Sequence, residues 1–315
     1  QKLAQLGRLD IVATAEPGFY IGKRVTQELH DIYFIDAVNP RFWLVHTPTV
    51  TGRSDRVLHE NVLTIRGLDS AWLPTDFLET ATRNGRTQIG VGTRFTDGLY
   101  VDDPDHRTEF RMRLWGSVAR DVTEVLREHP RLRRFTAISS VRLKTYVSDE
   151  YTSNDTLYYS GKVTVNGNSF AAHQGLVSEL FRGSYRNAIE HRIEGASAVR
   201  MSEAGRLRGR PLLLVYADAP EPDIGLKVAA LLTGKKPHRF WGIPQATPGG
   251  RLRVTVSDLH LGGRFTISAD DVQMQIYAYE GLCGNAIARW VTLFQQNVNA
   301  TARLVDPVSG DYVFS

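Results

Sequence analysis

Short apolar segments of two periodicities follow one another along this 315-residue chain without a regular order. Some repeat apolar residues every three or four positions, as helices do, and others alternate apolar and polar residues, as strands do. A doubly wound parallel sheet requires strands and helices in strict alternation, and this chain lacks that order. The sequence therefore predicts an α+β fold with a mixed, mostly antiparallel sheet.

The clearest helical pattern lies between Asp103 and Pro130. Asp103 is a suitable N-cap, Pro104 suits a first helical turn, and Pro130 ends the pattern. The apolar residues that recur at helical spacing are Phe110, Leu114, Trp115, Val118, Val122, Val125 and Leu126. This spacing predicts one long amphipathic helix over about 104–129. Two or three shorter helices are expected within 171–193, 224–232 and 286–298.

Strand-like runs fill most of the remaining chain. The predicted strands are 9–14, 32–37, 42–46, 57–65, 87–91, 136–147, 156–165, 211–216, 251–259 and 272–279. No stretch rich in Pro, Gly and Ser is long enough to mark a linker. We therefore expect a single compact α+β unit over 1–315. Within it, residues 1–100 form a strand- and loop-rich part and residues 101–315 form a helix-containing core.

Cysteine content and hydropathy limit the classes of protein to consider. Cys283 is the only cysteine, so the chain has neither an internal disulfide nor a cysteine-based zinc site. No apolar run reaches the length of a membrane span, and the residues after Gln1 do not resemble a secretory signal. These features predict an intracellular or virion protein without a membrane partner, and we expect no cofactor.

One short motif suggests metal chemistry. The segment from Ser257 to Gly262 contains Asp258 and His260 at the end of a predicted strand. It resembles the first metal-binding block of the calcineurin-like phosphoesterases, and the resemblance implies that these two side chains hold a metal. The later blocks of that family have no counterpart, because no histidine follows His260 and Asn285 is followed by Ala286. The sequence therefore favours a strand-end Asp-His pair without a metal.

The glycine-rich segments do not match a nucleotide-binding loop. Gly90 and Gly92 lack the third glycine of a dinucleotide-binding turn, and Pro237 would break the helix that must follow a phosphate-binding loop at Gly234. No G-x-S-x-G sequence marks a nucleophile. These absences favour a non-enzymatic protein, with a hydrolase that has no recognisable motif as an open alternative.

Positive charge is carried mostly by arginine, with 31 Arg against 7 Lys and 34 acidic residues. The planar arginine fork suits phosphate groups and protein interfaces. We expect contact sites in three clusters, which are Arg127, Arg131, Arg133 and Arg134; Arg206, Arg208 and Arg210; and Lys235, Lys236 and Arg239 with the nearby Trp241.

Two functions fit this profile. The first is a structural subunit of a larger assembly, such as a virus or phage shell or tail component, that self-associates through its arginine- and aromatic-rich surfaces. The alternative is a protein that binds the phosphate backbone of RNA or DNA through the arginine clusters. The first predicts a homo-oligomer or other protein partners, and the second predicts affinity that falls steeply with salt.

Overall fold

A computed structural model describes residues 6, 9–25, 30–83, 86–97, 109–148, 150–195, 199–201, 207–217, 224–236, 238–246, 251–270 and 273–315. The chain divides into two compact units, Gln1–Ser70 and Ala71–Ser315. The expectation that residues 1–315 form a single unit stays a prediction. The α+β class is confirmed, and every pair of named strands in the described residues is antiparallel.

The first unit combines a four-stranded meander with one helix. The strands pair in the order β1 Asp10–Ala13, β2 Phe19–Val25, β3 His30–Asp36 and β4 Leu44–His46. Helix α1 follows at Thr51–Thr64. Ile35 of the sheet and Ile65 after the helix are buried together with Leu6 in one apolar cluster.

The strand predicted over 57–65 is wrong, because these residues belong to helix α1 and its C-terminal end. β-branched residues in this stretch suggested a strand, yet the buried positions follow helical spacing. Ser54, Val57 and Asn61 are the buried residues of α1. They are three and four positions apart, so the helix buries one face.

The described residues of the second unit form three sheets. The five-stranded sheet has the order β6 Glu109–Trp115, β5 Thr87–Thr96, β7 Ile138–Tyr146, β8 Thr152–Tyr158 and β9 Val163–Gly167. The seven-stranded sheet has the order β13 Phe240–Trp241, β15 Leu252–Asp258, β16 Arg264–Ala269, β17 Gln273–Ala278, β12 Leu212–Val215 and β18 Arg303–Val305, with β14 Gln245–Ala246 also paired to β15. A short two-stranded sheet pairs β10 Arg200–Met201 with β11 Leu207–Arg208.

In the described residues, five α-helices accompany these sheets, besides a short 3-10 helix at Arg133–Phe135. They are α2 Thr75–Thr80, α3 Val118–Glu128, α4 Phe170–Val177, α5 Ile224–Leu231 and α6 Gly284–Asn297. Helix α4 continues without a break into wider π-helical turns at Ser178–Tyr185 and Ala188–Gly195. The whole helical run over 170–195 has 26 residues. The shorter helices expected within 171–193, 224–232 and 286–298 therefore correspond to this run, α5 and α6.

Helix α6 forms the centre of the second unit. Nearly every residue of the helix is buried. Trp290 packs its ring against Phe240 of β13 at 5.8 Å and against Phe265 of β16 at 5.9 Å between ring centroids. Strand β5 of the five-stranded sheet also packs against α6. The helix therefore joins the two large sheets through one apolar core.

The long helix predicted over 104–129 is wrong in its position. Within that range the described residues form strand β6, the turn at Gly116 and helix α3, while 104–108 lie outside the described residues. Gly116 has a φ of 94°, a conformation that no helix interior contains. The apolar spacing predicted a helix here because Phe110 and Leu114 are four residues apart. That separation fits the period of a helix and also the alternation of a strand. The longest helix is instead the run over 170–195.

Two buried ion pairs lie beside this core. The Arg289 guanidinium of α6 is 2.7 Å from Oδ1 of Asp258 and lies 4.6 Å from the centroid of the Phe240 ring. Both charged side chains are almost fully buried. Lys227 of α5 forms a second buried pair with Asp97, at 2.9 Å. Each charge is removed from water, so its partner is needed to offset the loss of hydration.

We expect Arg289→Met to lower the free energy of unfolding by about 3–5 kcal/mol, because Asp258 then stays charged in a buried site without its counter-ion. Urea unfolding measures this loss. The double variant Asp258→Asn with Arg289→Met should recover part of the stability, since the uncompensated charge is gone. Single effects that simply add in the double variant would contradict a coupled pair.

Stability should also depend on Asp76 of α2. Burial raises the pKa of this carboxyl from 3.8 to about 6, against the opposing charge of Arg303. The folded state therefore holds a proton that the unfolded state releases, and stability falls as pH rises through that interval. Relative to Asp76→Asn, the wild-type protein should lose on the order of 3 kcal/mol between about pH 4 and about pH 7.

Urea unfolding at several pH values tests this expectation, with Asp311→Asn at an exposed position as the control. The control should keep the wild-type pH profile. Parallel profiles for wild type and Asp76→Asn would show that Asp76 does not hold the extra proton.

Candidate nucleic-acid interface

One face of the five-stranded sheet carries cationic and aromatic side chains. On β6 the alternate residues Arg111, Arg113 and Trp115 are exposed, whereas the residues between them are half-buried. Successive side chains of a strand point to opposite faces of the sheet. The three exposed residues therefore share one open face.

Strand register extends this pattern across the sheet. Arg113 lies opposite Gly92 of β5, which lies opposite Ser140 of β7, which in turn lies opposite Tyr158 of β8. The neighbouring row on the same face has Trp115, Gly90, Arg142 and Thr156. We call this surface the basic sheet face, and its cationic and aromatic members are Arg94, Arg111, Arg113, Trp115, Arg142, Lys144, Tyr158 and Lys162.

Two glycines of β5 form the floor of a shallow groove in the basic sheet face. A Cβ atom on Gly92 would come within 2.4 Å of the Ser140 hydroxyl, and one on Gly90 would come within 3.0 Å of the Trp115 ring. The absence of side chains on these two residues lets the Trp115 ring and the Ser140 hydroxyl pack against the backbone of β5. The residues lining the groove are Gly90, Val91, Arg113, Trp115, Ser140, Arg142, Thr156 and Tyr158.

Contacts between cations and rings hold the side chains of this face in place. The Arg142 guanidinium lies 5.5 Å from the centroid of the Trp115 ring, and the Lys162 ammonium lies 5.3 Å from that of Tyr158. Arg94 donates a hydrogen bond of 3.1 Å to the hydroxyl of Tyr159. Such contacts orient a cation without neutralising its charge.

The basic sheet face has little acidic charge to balance its cations. On the described strands of this face the acidic residue is Glu109, and it forms an ion pair with Arg111. Asp155 of β8 points to the opposite, buried face, where the neighbouring Ser153 and Leu157 also lie. The open face therefore presents a net positive charge.

A buried polar cluster lies on the opposite face of the same sheet. Oδ1 of Asp155 is 2.5 Å from Nδ1 of His173 on α4, and its Oδ2 accepts a hydrogen bond of 2.6 Å from the hydroxyl of Ser153. All three side chains are almost completely buried. The cluster attaches α4 to the back of the sheet and satisfies the buried carboxylate.

Some arginines of the first predicted cluster, 127–134, form contacts within the protein. Arg127 forms an ion pair of 2.7 Å with Glu79, and the Arg134 guanidinium stacks 4.5 Å from the centroid of Phe135. Arg131 is exposed and Arg133 is half-buried. Their role as a contact site stays a prediction.

The second predicted cluster lies only partly within the described residues. Arg210 is exposed, whereas Arg206 and the side chain of Arg208 lie outside the described residues. In the third cluster Lys235 and Lys236 are exposed, and half of the Trp241 side chain is exposed. Arg239 contacts Nδ1 of His260 at 2.5 Å. Both clusters stay predictions as contact sites.

The Asp-His motif at the end of β15 is used for internal contacts. Oδ1 of Asp258 accepts hydrogen bonds from the backbone N–H groups of His260, at 2.9 Å, and Leu261, at 3.3 Å, besides its ion pair with Arg289. His260 is buried and contacts Arg239. These contacts close the turn that follows the strand.

Two further features are absent from the described residues. No three side chains of His, Cys, Asp or Glu gather there in a way that could hold a metal ion. No helix in the same part of the chain has both the length and the apolar character needed to cross a membrane.

Sequence reasoning missed the basic sheet face because its members are far apart in the chain. Arg113, Arg142 and Tyr158 meet only through the pairing of four strands. The available signal was the alternation of charged and apolar residues over 109–115, together with a similar alternation over 141–144. Read as strands, these two segments place their cations on one face.

Comparison with known proteins identifies a family. The model of the family described as MJECL33-like protein matches residues 5–312. A protein of Methanocaldococcus jannaschii, MJECL33, is 23% identical over 309 residues, an alignment that covers 85% of this chain and 74% of that protein. No solved structure matches this chain. Because the family model spans nearly the whole sequence, the chain belongs to the MJECL33-like family.

Proposed function

We propose that this protein binds single-stranded nucleic acid on the basic sheet face. The observation that supports the proposal is the gathering of Arg111, Arg113, Arg142 and Lys144 with the rings of Trp115 and Tyr158 on one open face. Proteins that hold single strands combine a positively charged groove with aromatic rings on which bases stack.

The cations supply the attraction for phosphate. Arg113 is exposed on β6, and Arg111 is exposed beside its ion-pair partner Glu109, so both guanidinium groups are accessible from solvent. Arginine binds phosphate oxygens through two parallel N–H donors, which makes it a strong contact for a polyanion. Each neutralised phosphate releases counter-ions, so affinity depends on salt.

The aromatic rings favour a single strand over a duplex. Trp115 is 59% exposed, although it is among the largest apolar side chains. An exposed ring on a sheet stacks with a base only if the face of that base is free, and in a duplex the neighbouring base pairs cover it. Because Gly90 and Gly92 have no side chains, the Trp115 ring and the Ser140 hydroxyl lie directly against the backbone of β5 in this groove.

Fluorescence anisotropy with a labelled single strand of about ten nucleotides tests the proposal. Trp115→Ala should weaken binding about 5- to 100-fold, because stacking contributes about 1–3 kcal/mol per base. Trp115→Phe should recover part of the affinity, since a ring is restored. Replacing Arg113 and Arg142 together with Ala should reduce the slope of log affinity against log salt by about 1.4.

Two exposed residues outside this face serve as controls. Phe170 on α4 is 59% exposed, and Arg186 in the long helical run forms an ion pair of 2.7 Å with Glu190. Phe170→Ala and Arg186→Ala should bind the strand as the wild-type protein does. Wild-type binding that is absent at about 50 mM salt, or that is unchanged in Trp115→Ala and the double arginine variant, would refute the proposal.

Self-association as a structural subunit stays a second proposal, and one observation favours it. Val118, Val122 and Val125 of α3 are 57%, 37% and 64% exposed, and their spacing places them on one face of the helix. An exposed apolar stripe of this kind suits contact with another copy of the chain.

The self-association proposal predicts large oligomers in light scattering at micromolar concentrations. Val122→Glu should shift the population toward monomer, because a charge in an apolar interface opposes association. Thr123 of the same helix is buried, so the substitution is made on the exposed side. A stable monomer across that concentration range would contradict the proposal.

A further inference from the structure

A second basic and aromatic surface lies at the edge of the seven-stranded sheet. We define it as the basic loop, made of Lys235, Lys236, Arg239 and Trp241. Lys235 and Lys236 are exposed, and 50% of the Trp241 side chain is exposed. The basic loop therefore repeats the combination of cations with a ring that characterises the basic sheet face.

The backbone of this loop is held in an unusual conformation. Arg239 has a φ of 55°, in the left-handed region that residues with a Cβ rarely occupy. Its N–H donates to the carbonyl of Lys235 at 2.9 Å, and its own carbonyl accepts from the N–H of Leu259 at 2.9 Å. Its side chain contacts His260. Strained backbone that its surroundings hold in place is typical of binding sites.

Trp241 is fixed beside the two lysines. It forms a β-bridge with Thr233, and the N–H of Gly234 donates to the carbonyl of Phe240 at 2.7 Å. A Cβ atom on Gly234 would lie 3.8 Å from Cδ1 of Trp241. The ring is therefore next to the backbone that leads into Lys235.

Strand β5 and the basic loop have two helices, α5 and α6, as common neighbours. Asp97 follows Arg94 by three residues and forms the buried ion pair with Lys227 of α5, the helix directly before the loop. Strand β5 and Phe240, the residue before Trp241, both pack against α6. The end of the basic sheet face and the loop are thus attached to the same two helices.

The electrostatics of His238 agree with this arrangement. Burial lowers the pKa of His238 from 6.5 to about 4, and the positive charges of Arg289 and then Arg94 lower it further in the same direction. The charge of Arg94, on the basic sheet face, is therefore felt inside the loop that carries Lys235 and Lys236.

We propose that the nucleic-acid path continues from the basic sheet face past Arg94 to the basic loop, where Lys235 and Lys236 hold phosphates and Trp241 stacks a base. This inference rests on the proposed function and adds the class of ligand, a single strand long enough to occupy both surfaces. On the sheet alone, β6 to β8 spans about 14 Å, which accommodates only a few nucleotides.

A length series separates the two surfaces. The probes are labelled single strands of about four and about sixteen nucleotides, and the loop variant combines Lys235→Ala, Lys236→Ala and Trp241→Ala. The loop variant should weaken binding of the longer strand about 10- to 100-fold and lower its salt slope by about 1.4. The shorter strand should bind the loop variant as it binds wild type, which also shows that the variant is folded.

Variants of the basic sheet face should change the affinity for the two strands in a different way from the loop variant. Trp115→Ala should weaken both strands, because both occupy the sheet, whereas the combined control Phe170→Ala with Arg186→Ala should weaken neither. A loop variant that binds the longer strand as wild type does would overturn this inference and leave the proposed function standing. Equal weakening of both strands would also overturn it, and wild-type protein that binds neither strand would overturn both.

Discussion

The burial of helix α6 is the constraint on which the second unit depends. A helix buried around its whole circumference must be covered from several directions, and here the seven-stranded sheet and strand β5 of the five-stranded sheet both pack on it. One face of each of these two sheets packs against this core. The opposite face of the five-stranded sheet is left for other contacts, and it carries Arg111, Arg113 and Trp115 on β6 and Arg142 and Lys144 on β7.

The same helix explains why a charged pair occurs in the core. Arg289 lies among apolar residues of α6, where a cation is unfavourable unless it is paired. Asp258 pairs with it and also accepts backbone hydrogen bonds from the turn after β15. One carboxylate thus fixes the orientation of α6 against the seven-stranded sheet and closes the turn that leads toward β16. Asp258 and His260, which resemble a metal-binding block in the sequence, thus form internal contacts at the end of β15.

The fold class could be predicted from the sequence, since strands and helices follow one another without βαβ order. Helices α5 and α6 were also predictable, because their apolar spacing fits only one period. The segment over 109–115 was ambiguous, as Phe110 and Leu114 satisfy both periods. Its neighbours decide the outcome: β5 supplies hydrogen-bond partners, and Gly116 interrupts the chain before α3. Tertiary pairing of this kind is not encoded in local spacing.

The candidate site was harder to predict for a related reason. Local clusters such as Arg131 to Arg134 are conspicuous in a sequence, yet two members of the first cluster contact Glu79 and Phe135 within the protein. The basic sheet face instead takes single residues from separate strands. Its composition follows from strand order and register, neither of which a single sequence specifies.

The buried cluster of Asp155, Ser153 and His173 also decides which side of β8 faces outward. A slip of one residue in β8 would exchange its two sides. Asp155 would then lie among the arginines of the open face and repel a polyanion, and Tyr158 would turn inward. Because His173 of α4 binds the carboxylate on the buried side, this misregistered fold would lose that contact, whereas Ser153 lies on the same strand and would move with Asp155. A polar contact on the buried side of the sheet thereby helps to keep the charge of its open face positive.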